Sequence, residues 1–321
     1  MSRIAIASGS LSNLDALRRV FASVADLRVG DIAEPADLAD LADGADALVV
    51  SLHPLTAAHV AALPRSVQVI VRAGVGLDSI DVGAAHERGV AVVNQPAYAV
   101  AEVADHAVAM LLACHRNVVT YDRAVRSGAW PPAPSVGEIP PTDELTLGLI
   151  GYGRIGRAVA DRLRPSVRAV HVFDLAYDGA ADAPVVAADS LDDLLRAGDL
   201  VSVHLPLTTR TRGIVGAREL DLLPAGAVLV NVSRGGLVDE AALADALTAG
   251  RLRGAAIDVF ETEPLGADSP LRSAPRLLMS PHVAWYSTRS ASRLARWSLE
   301  DAIAYASGSR DLHGVVVKEA T

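Results

Sequence analysis

Two sets of residues in this chain could do chemistry, and both stand where apolar runs stop. The first is the turn Gly151-Tyr152-Gly153-Arg154-Ile155-Gly156, entered from the apolar run 146–150. Its three glycines have separate tasks. Gly151 permits a tight turn, Gly153 lets the backbone approach a pyrophosphate, and Gly156 lets the following helix pack on the strand. The helix opening at Arg154 and Ile155 then points unpaired N–H groups at the phosphates. A second apolar run, 169–173, ends on Asp174. That acid lies roughly 20 residues beyond the turn, where a partner for a ribose 2′-hydroxyl is expected. The residues after it, Leu175-Ala176-Tyr177-Asp178, bring no arginine to hold a 2′-phosphate, so the reading favours NAD over NADP. The alternative is a flavodoxin-like sheet in which the glycine turn is structural.

The second set is Asp174, His204, Arg234, Asp258 and His282, each at or just past the end of an apolar run. Ligands of open α/β sheets bind beyond the carboxyl ends of the strands, so the five point to one site. His53 and His106 could be structural or functional. His86, His115 and His171 read as ordinary helix or strand residues. No group of His, Cys, Asp and Glu has metal-ligand spacing, so no metal is expected. Neither a nucleophile-elbow serine motif nor a nucleophilic cysteine context occurs.

Alternating strands and helices must position these residues. Strands are expected at 3–8, 27–32, 47–52, 67–71 and 90–93, and again at 146–150, 169–173, 200–205, 227–232, 254–260 and 277–280. Helices are expected at 13–21, 34–41, up to Leu63 with Thr56 as cap, at 80–88, 239–247 and 287–306. Residues 100–125 read as one long helix, apolar on more than one face. The Pro-rich segment 130–141 reads as loop. The whole is an α/β chain with parallel sheets covered on both faces.

The 321 residues suggest about two domains. Hydrophobic residues make up 51% of the chain, enough for sizeable cores. A net charge of −9 with no basic block argues against nucleic acid or an anionic membrane as partner. One cysteine, Cys114, rules out an intrachain disulfide, reads as buried and inert, and fits a reducing cytoplasm. The N-terminus lacks a signal-peptide pattern, and no run is long and apolar enough to span a membrane.

Four motifs resemble the D-2-hydroxyacid dehydrogenase family, over residues from Val69 to about Tyr305. They are Arg72-Ala-Gly-Val-Gly-Leu-Asp78; the glycine turn with Asp174; His204-Leu-Pro-Leu-Thr208 followed by Asn231-Val-Ser-Arg-Gly235; and Asp258-Val-Phe-Glu-Thr-Glu-Pro264 followed by Ser280-Pro-His282. Glu102-Val-Ala-Asp-His106 and His282-Val-Ala-Trp-Tyr-Ser287 are most similar to the branch of C-terminal binding proteins and their bacterial relatives. The resemblance implies two Rossmann-like domains and a discontinuous substrate domain, residues 1–97 and 286–321, around an NAD-binding domain, residues 98–285. It also implies a homodimer built on the long helix after Pro96.

For the site, the resemblance implies NAD-dependent interconversion of a small 2-keto acid and its D-2-hydroxy acid. Arg234 would clamp the substrate's carboxylate and carbonyl with its planar fork. His282 would be the acid–base group and Glu263 its carboxylate partner, which favours the imidazolium. The cofactor would be held by the glycine turn, Asp174, His204, Pro206, Thr211, Val232 and Asp258. Arg72, Gly74, Val75, Gly76 and Trp285 would serve the substrate; an indole favours apolar side chains, whereas Arg72 could recruit a second acidic group. Two rivals remain on the same fold. One is a dinucleotide-sensing scaffold like the corepressors of that branch; the other is phosphite oxidation. Formate oxidation is disfavoured, because that enzyme usually carries glutamine where Glu263 stands.

Overall fold

A computed structural model describes residues 1–177, 179 and 184–317. Asp178, in the segment after Asp174, lies outside the described residues, as do residues 318–321. The chain divides into two compact units, Met1–Ala99 with Tyr286–Thr321, and Val100–Trp285.

The smaller unit is built on strands β1 (Ser2–Ala7), β2 (Ala25–Gly30), β3 (Ala47–Val50), β4 (Val69–Arg72) and β5 (Ala91–Asn94). They pair in the order β5-β4-β3-β1-β2, all parallel. A two-residue strand, Val315–Val316, adds antiparallel to β5. β3 and β4 are buried along their whole length, which is why they read as continuous apolar runs. The helix Ala57–Ala62 starts at Thr56, whose hydroxyl accepts from the His59 N–H at 3.5 Å. The last helix, Thr288–Ala306, packs on β1, β3 and β4. Its buried Asp301 accepts from Gln95 Nε2 at 2.6 Å and from the N–H groups of His313 and Gly314, both at 2.8 Å. That carboxylate therefore ties the tail to the strand edge.

The larger unit holds β6 (Thr146–Ile150), β7 (Ala169–Phe173), β8 (Val186–Ala187), β9 (Leu200–Val203), β10 (Val228–Asn231), β11 (Gly254–Ile257) and β12 (Leu277–Met279). The order is β12-β11-β10-β9-β6-β7-β8, all parallel. The chain runs from β6 outward to β8, then returns to the other side of β6 as β9. The boundary between β6 and β9 is thus the switch point where such sheets bind ligands. Side chains alternate between two cores. Leu147, Leu149, Val228 and Val230 face the helix Val100–His115, while Val201, Val203, Leu229 and Ile257 face the helix Glu240–Thr248.

The single helix expected over 100–125 is two helices, Val100–His115 and Val118–Arg126. The break is Asn117, which is buried and left-handed at φ 52°. The apolar pattern runs on across it, so periodicity alone carried no sign of the break. The segment 130–141 also contains one tight helical turn, Ala133–Val136. The second strand begins and ends two residues earlier than expected. Among the described residues no helix is long and apolar enough to cross a membrane, and no group of three or more His, Cys, Asp or Glu could hold a metal ion.

The left-handed conformation at Asn117 makes a stability prediction. A β-branched residue there pays roughly 1–2 kcal/mol in backbone sterics, whereas glycine does not. Asn117→Val should lower the urea midpoint markedly and Asn117→Gly much less. Equal losses would trace the cost to side-chain packing.

Candidate active site

The glycine turn closes the switch point by sheer proximity. Gly151 is left-handed at φ 102°, and a Cβ on it would lie 2.6 Å from the His204 carbonyl oxygen. A Cβ on Gly156 would lie 2.2 Å from the Gly151 oxygen. Neither position has room for a side chain. Gly153 differs: a Cβ there would meet nothing within 4 Å. Space is kept open in front of the helix Arg154–Leu163, whose first N–H groups have no partner within the helix. Asp174 braces the turn. Its carboxylate accepts from the Tyr152 N–H at 2.7 Å and the Ala176 N–H at 2.8 Å. It stays half-buried, and each oxygen keeps a lone pair for a ribose hydroxyl.

His204 ends β9 against this turn. Part of the residue is accessible, but both ring nitrogens are enclosed and have no hydrogen-bond partner among the described residues. Burial pushes the imidazole down to about 4, so it is neutral at physiological pH. Two orphaned nitrogens beside an open cradle fit a polar ligand that supplies the missing bonds. Thr211 donates to the Pro206 carbonyl at 2.7 Å and accepts from the Thr208 N–H at 2.8 Å, which shapes the loop beyond His204. Val232 is buried just past β10.

Arg234 follows on the same loop. Asn231 staples it, donating from Nδ2 to the Arg234 carbonyl at 2.8 Å and accepting from the Ser233 N–H at 3.0 Å. The guanidinium is half-buried and gives one N–H to the Ser233 carbonyl at 2.6 Å.

His282 and Glu263 meet directly. Nδ1 of His282 lies 2.7 Å from Glu263 Oε2, and Glu263 Oε1 accepts from the Phe260 N–H at 2.9 Å. Burial alone would raise the Glu263 carboxyl, but these hydrogen bonds and the nearby charges of His282 and Arg234 outweigh it and hold it below its ordinary range. A carboxylate only accepts, so the proton stands on Nδ1 and Nε2 is left for exchange. His282 itself is left-handed at φ 54°. Trp285 donates its indole N–H to the His282 carbonyl at 3.1 Å.

Asp258 is placed otherwise than as a group open to a cofactor. It is fully buried, and its carboxylate is spent on the segment that carries His282. Oδ1 accepts from Ser280 Oγ and from the Val283 N–H at 2.9 Å; Oδ2 accepts from the Ala284 N–H at 2.9 Å.

On the smaller unit, Arg72 ends β4 and is buried. Its Nη1 donates to the Ala73 carbonyl at 2.9 Å. The guanidinium lies across Gly74, where a Cβ would fall 1.1 Å from Nη1, so this arrangement needs glycine. The loop is pinned by its carbonyls: Gly74 accepts from the Gln95 N–H at 2.8 Å and Val75 from Asn94 Nδ2 at 2.6 Å. Gly76 follows directly on this pinned stretch. His53, just past β3, has an enclosed Nδ1 without a hydrogen-bond partner among the described residues.

Residues 108–284 match the family model described as D-isomer specific 2-hydroxyacid dehydrogenase, NAD binding domain. The chain belongs to the D-2-hydroxyacid dehydrogenase family. It is 42% identical over 247 residues to D-3-phosphoglycerate dehydrogenase of Mycobacterium bovis, covering 74% of this chain and 45% of that one. It is 38% identical over 269 residues to glyoxylate reductase of Korarchaeum cryptofilum, covering 82% and 80%. The chain thus spans under half the length of the phosphoglycerate dehydrogenase it matches. The crystal structure of the TT0316 protein from Thermus thermophilus superposes with a TM-score of 0.86 at 32% identity, over 98% of this chain and 100% of that one. The cofactor of the matched domain is NAD, in keeping with the open cradle at Gly153.

The sequence did not single out Ser280 or Phe260. Phe260 could have been found, because its N–H and the Glu263 carboxylate stand three residues apart, the spacing of a capping box. The glycines give a two-sided prediction. Gly156→Ala should destabilise the fold, since its Cβ meets backbone. Gly153→Ala should fold, with a melting temperature near that of the parent, yet bind NADH at least roughly tenfold more weakly because the methyl enters the phosphate cradle. Fluorescence titration with NADH checks it; unchanged affinity would remove Gly153 from the site.

Proposed function

We propose that this protein is an NAD-dependent oxidoreductase that interconverts a small 2-keto acid and its D-2-hydroxy acid. The observation that carries this reading is the 2.7 Å pair of His282 and Glu263 beside Arg234, in the unit that matches the family's NAD-binding domain. NAD, held by the turn 151–156 and by Asp174, supplies or takes the hydride. The guanidinium of Arg234 orients the carboxylate and carbonyl of the substrate as a fixed fork. His282 gives the proton on Nε2 to the carbonyl oxygen in reduction and takes it back in oxidation. Glu263 keeps Nδ1 protonated and balances the imidazolium. Arg72 and the stretch Gly74-Val75-Gly76 of the smaller unit are assigned to the substrate, and that unit to the substrate domain. Trp285 is assigned to the substrate side chain, a role its indole bond to His282 leaves open to the ring face. The relatives' names suggest two candidate acids, a phosphoglycerate and glyoxylate.

A second assignment is a homodimer. The helix Val118–Arg126 buries none of its side chains, and Val118, Val125 and Trp130 are exposed by 54%, 50% and 87%. An apolar surface of this kind asks for a cover. Sedimentation equilibrium at micromolar concentration should give twice the chain mass; a monomer would overturn the assignment.

The test of function is NADH oxidation with glyoxylate, hydroxypyruvate, its phosphate ester, pyruvate and bulkier 2-keto acids, with phosphite and NAD as a further arm. Turnover of at least one acid is expected. Tight NADH binding without turnover would favour the scaffold reading. Glu263→Gln removes the negative partner that keeps Nδ1 protonated, and kcat should fall roughly 10²-fold. An unchanged kcat would break the pairing. In the same screen Trp285→Ala should raise KM for apolar acids more than for glyoxylate.

A further inference from the structure

His106 lies in the helix Val100–His115, 174 residues from the Ser280 it touches. Its Nε2 is 3.0 Å from Ser280 Oγ. That hydroxyl has one proton, and it goes to Asp258 Oδ1 at 2.5 Å. The Ser280 oxygen must then accept, so His106 carries its proton on Nε2 and donates it. The direction of the chain is fixed: His106 to Ser280 to Asp258. His106 Nε2 also stands 3.8 Å from Asp258 Oδ1, near enough to add attraction whenever the imidazole is charged.

Asp258 is where the chain becomes useful. Its carboxylate holds the N–H groups of Val283 and Ala284, and its main-chain carbonyl accepts from the His282 N–H at 2.7 Å. One buried residue thus grips the backbone at three consecutive positions around His282. The grip is needed because His282 is a non-glycine residue at φ 54°, a left-handed conformation that L-residues hold only where surrounding bonds impose it. Released, the backbone would relax and swing the imidazole away from Glu263.

We propose that His106 is a positioning residue: through Ser280 and Asp258 it holds the main chain that presents His282. The inference rests on the reading of His282 as the acid–base group. His106 touches neither substrate nor cofactor in this role.

The test uses the full chain with His106→Ala, His106→Gln and Ser280→Ala. His106→Ala should lower kcat roughly tenfold, as small misplacements of a reacting group do, with the Kd for NADH unchanged within twofold. His106→Gln keeps a donor and should recover most of the loss. The double variant His106→Ala/Ser280→Ala should be no slower than Ser280→Ala alone, because both break one chain. A multiplicative loss would overturn the proposal. So would a loss confined to KM or to NADH affinity. An independent arm reads the imidazole itself by NMR of 15N-histidine protein, with the His282 signals assigned through His282→Gln. The parent should show one fixed protonated Nδ1, and His106→Ala an averaged ring. Unchanged His282 signals would overturn the proposal even if the chain folds and binds NADH. If the parent turns over none of the acids, the reaction assignment falls while the NMR arm still decides the role of His106.

Discussion

Apolar burial on both faces of two parallel sheets is the constraint from which the rest follows. Strands such as β3, β4, β9, β10 and β11 have almost no accessible side chain. Their main-chain groups are satisfied by neighbouring strands, so the interior offers no place for an uncompensated charge. Polar groups can gather only where the strands stop. That is where His204, Arg234, Asp258 and His282 stand, each just beyond the last paired residue of its strand. Reactive groups held at the ends of rigid strands keep their geometry better than groups on long loops.

At the carboxyl edge the packing becomes backbone against backbone. The β6 turn meets the end of β9 at Gly151 and its own following helix at Gly156, so closely that both positions exclude even a methyl group. Burial also encloses both ring nitrogens of His204 and keeps the imidazole uncharged. Two residues near His282 show the opposite use of burial. Glu263 stays ionised because hydrogen bonds outweigh desolvation. Asp258 is sealed completely and spends its carboxylate on the main chain. One carboxylate stays partly open beside His282 and the other grips the main chain, and burial decides which.

Much of this was legible in the sequence, because strand ends announce themselves as the last residue of an apolar run. The alternation of elements, the glycine turn and Asp174 follow from local pattern, and the pairing of His282 with Glu263 from the family resemblance. What escaped depends on partners far along the chain. The break at Asn117 leaves the apolar rhythm intact on both sides. The pair Val315–Val316 is too short to carry a period, and its anchor is Asp301, a polar residue on a helix that otherwise reads as amphipathic. His106 could not be judged structural or functional, since its partner sits at the end of a distant strand. Asp258 could be located at a strand end, but no pattern says whether a carboxylate there looks outward or back at its own chain.

Cys114 has a consequence of another kind. It is the sole cysteine, 8% exposed between the helix Val100–His115 and β11, with its thiol pushed up to about 12 by burial. Thiolate, not thiol, attacks an alkylating reagent, so the folded chain is chemically silent toward one. A cysteine introduced on the surface, at Val20 for example, would carry a fluorophore alone. Cys114 itself becomes a clock: the moment it reacts is the moment the larger unit has opened.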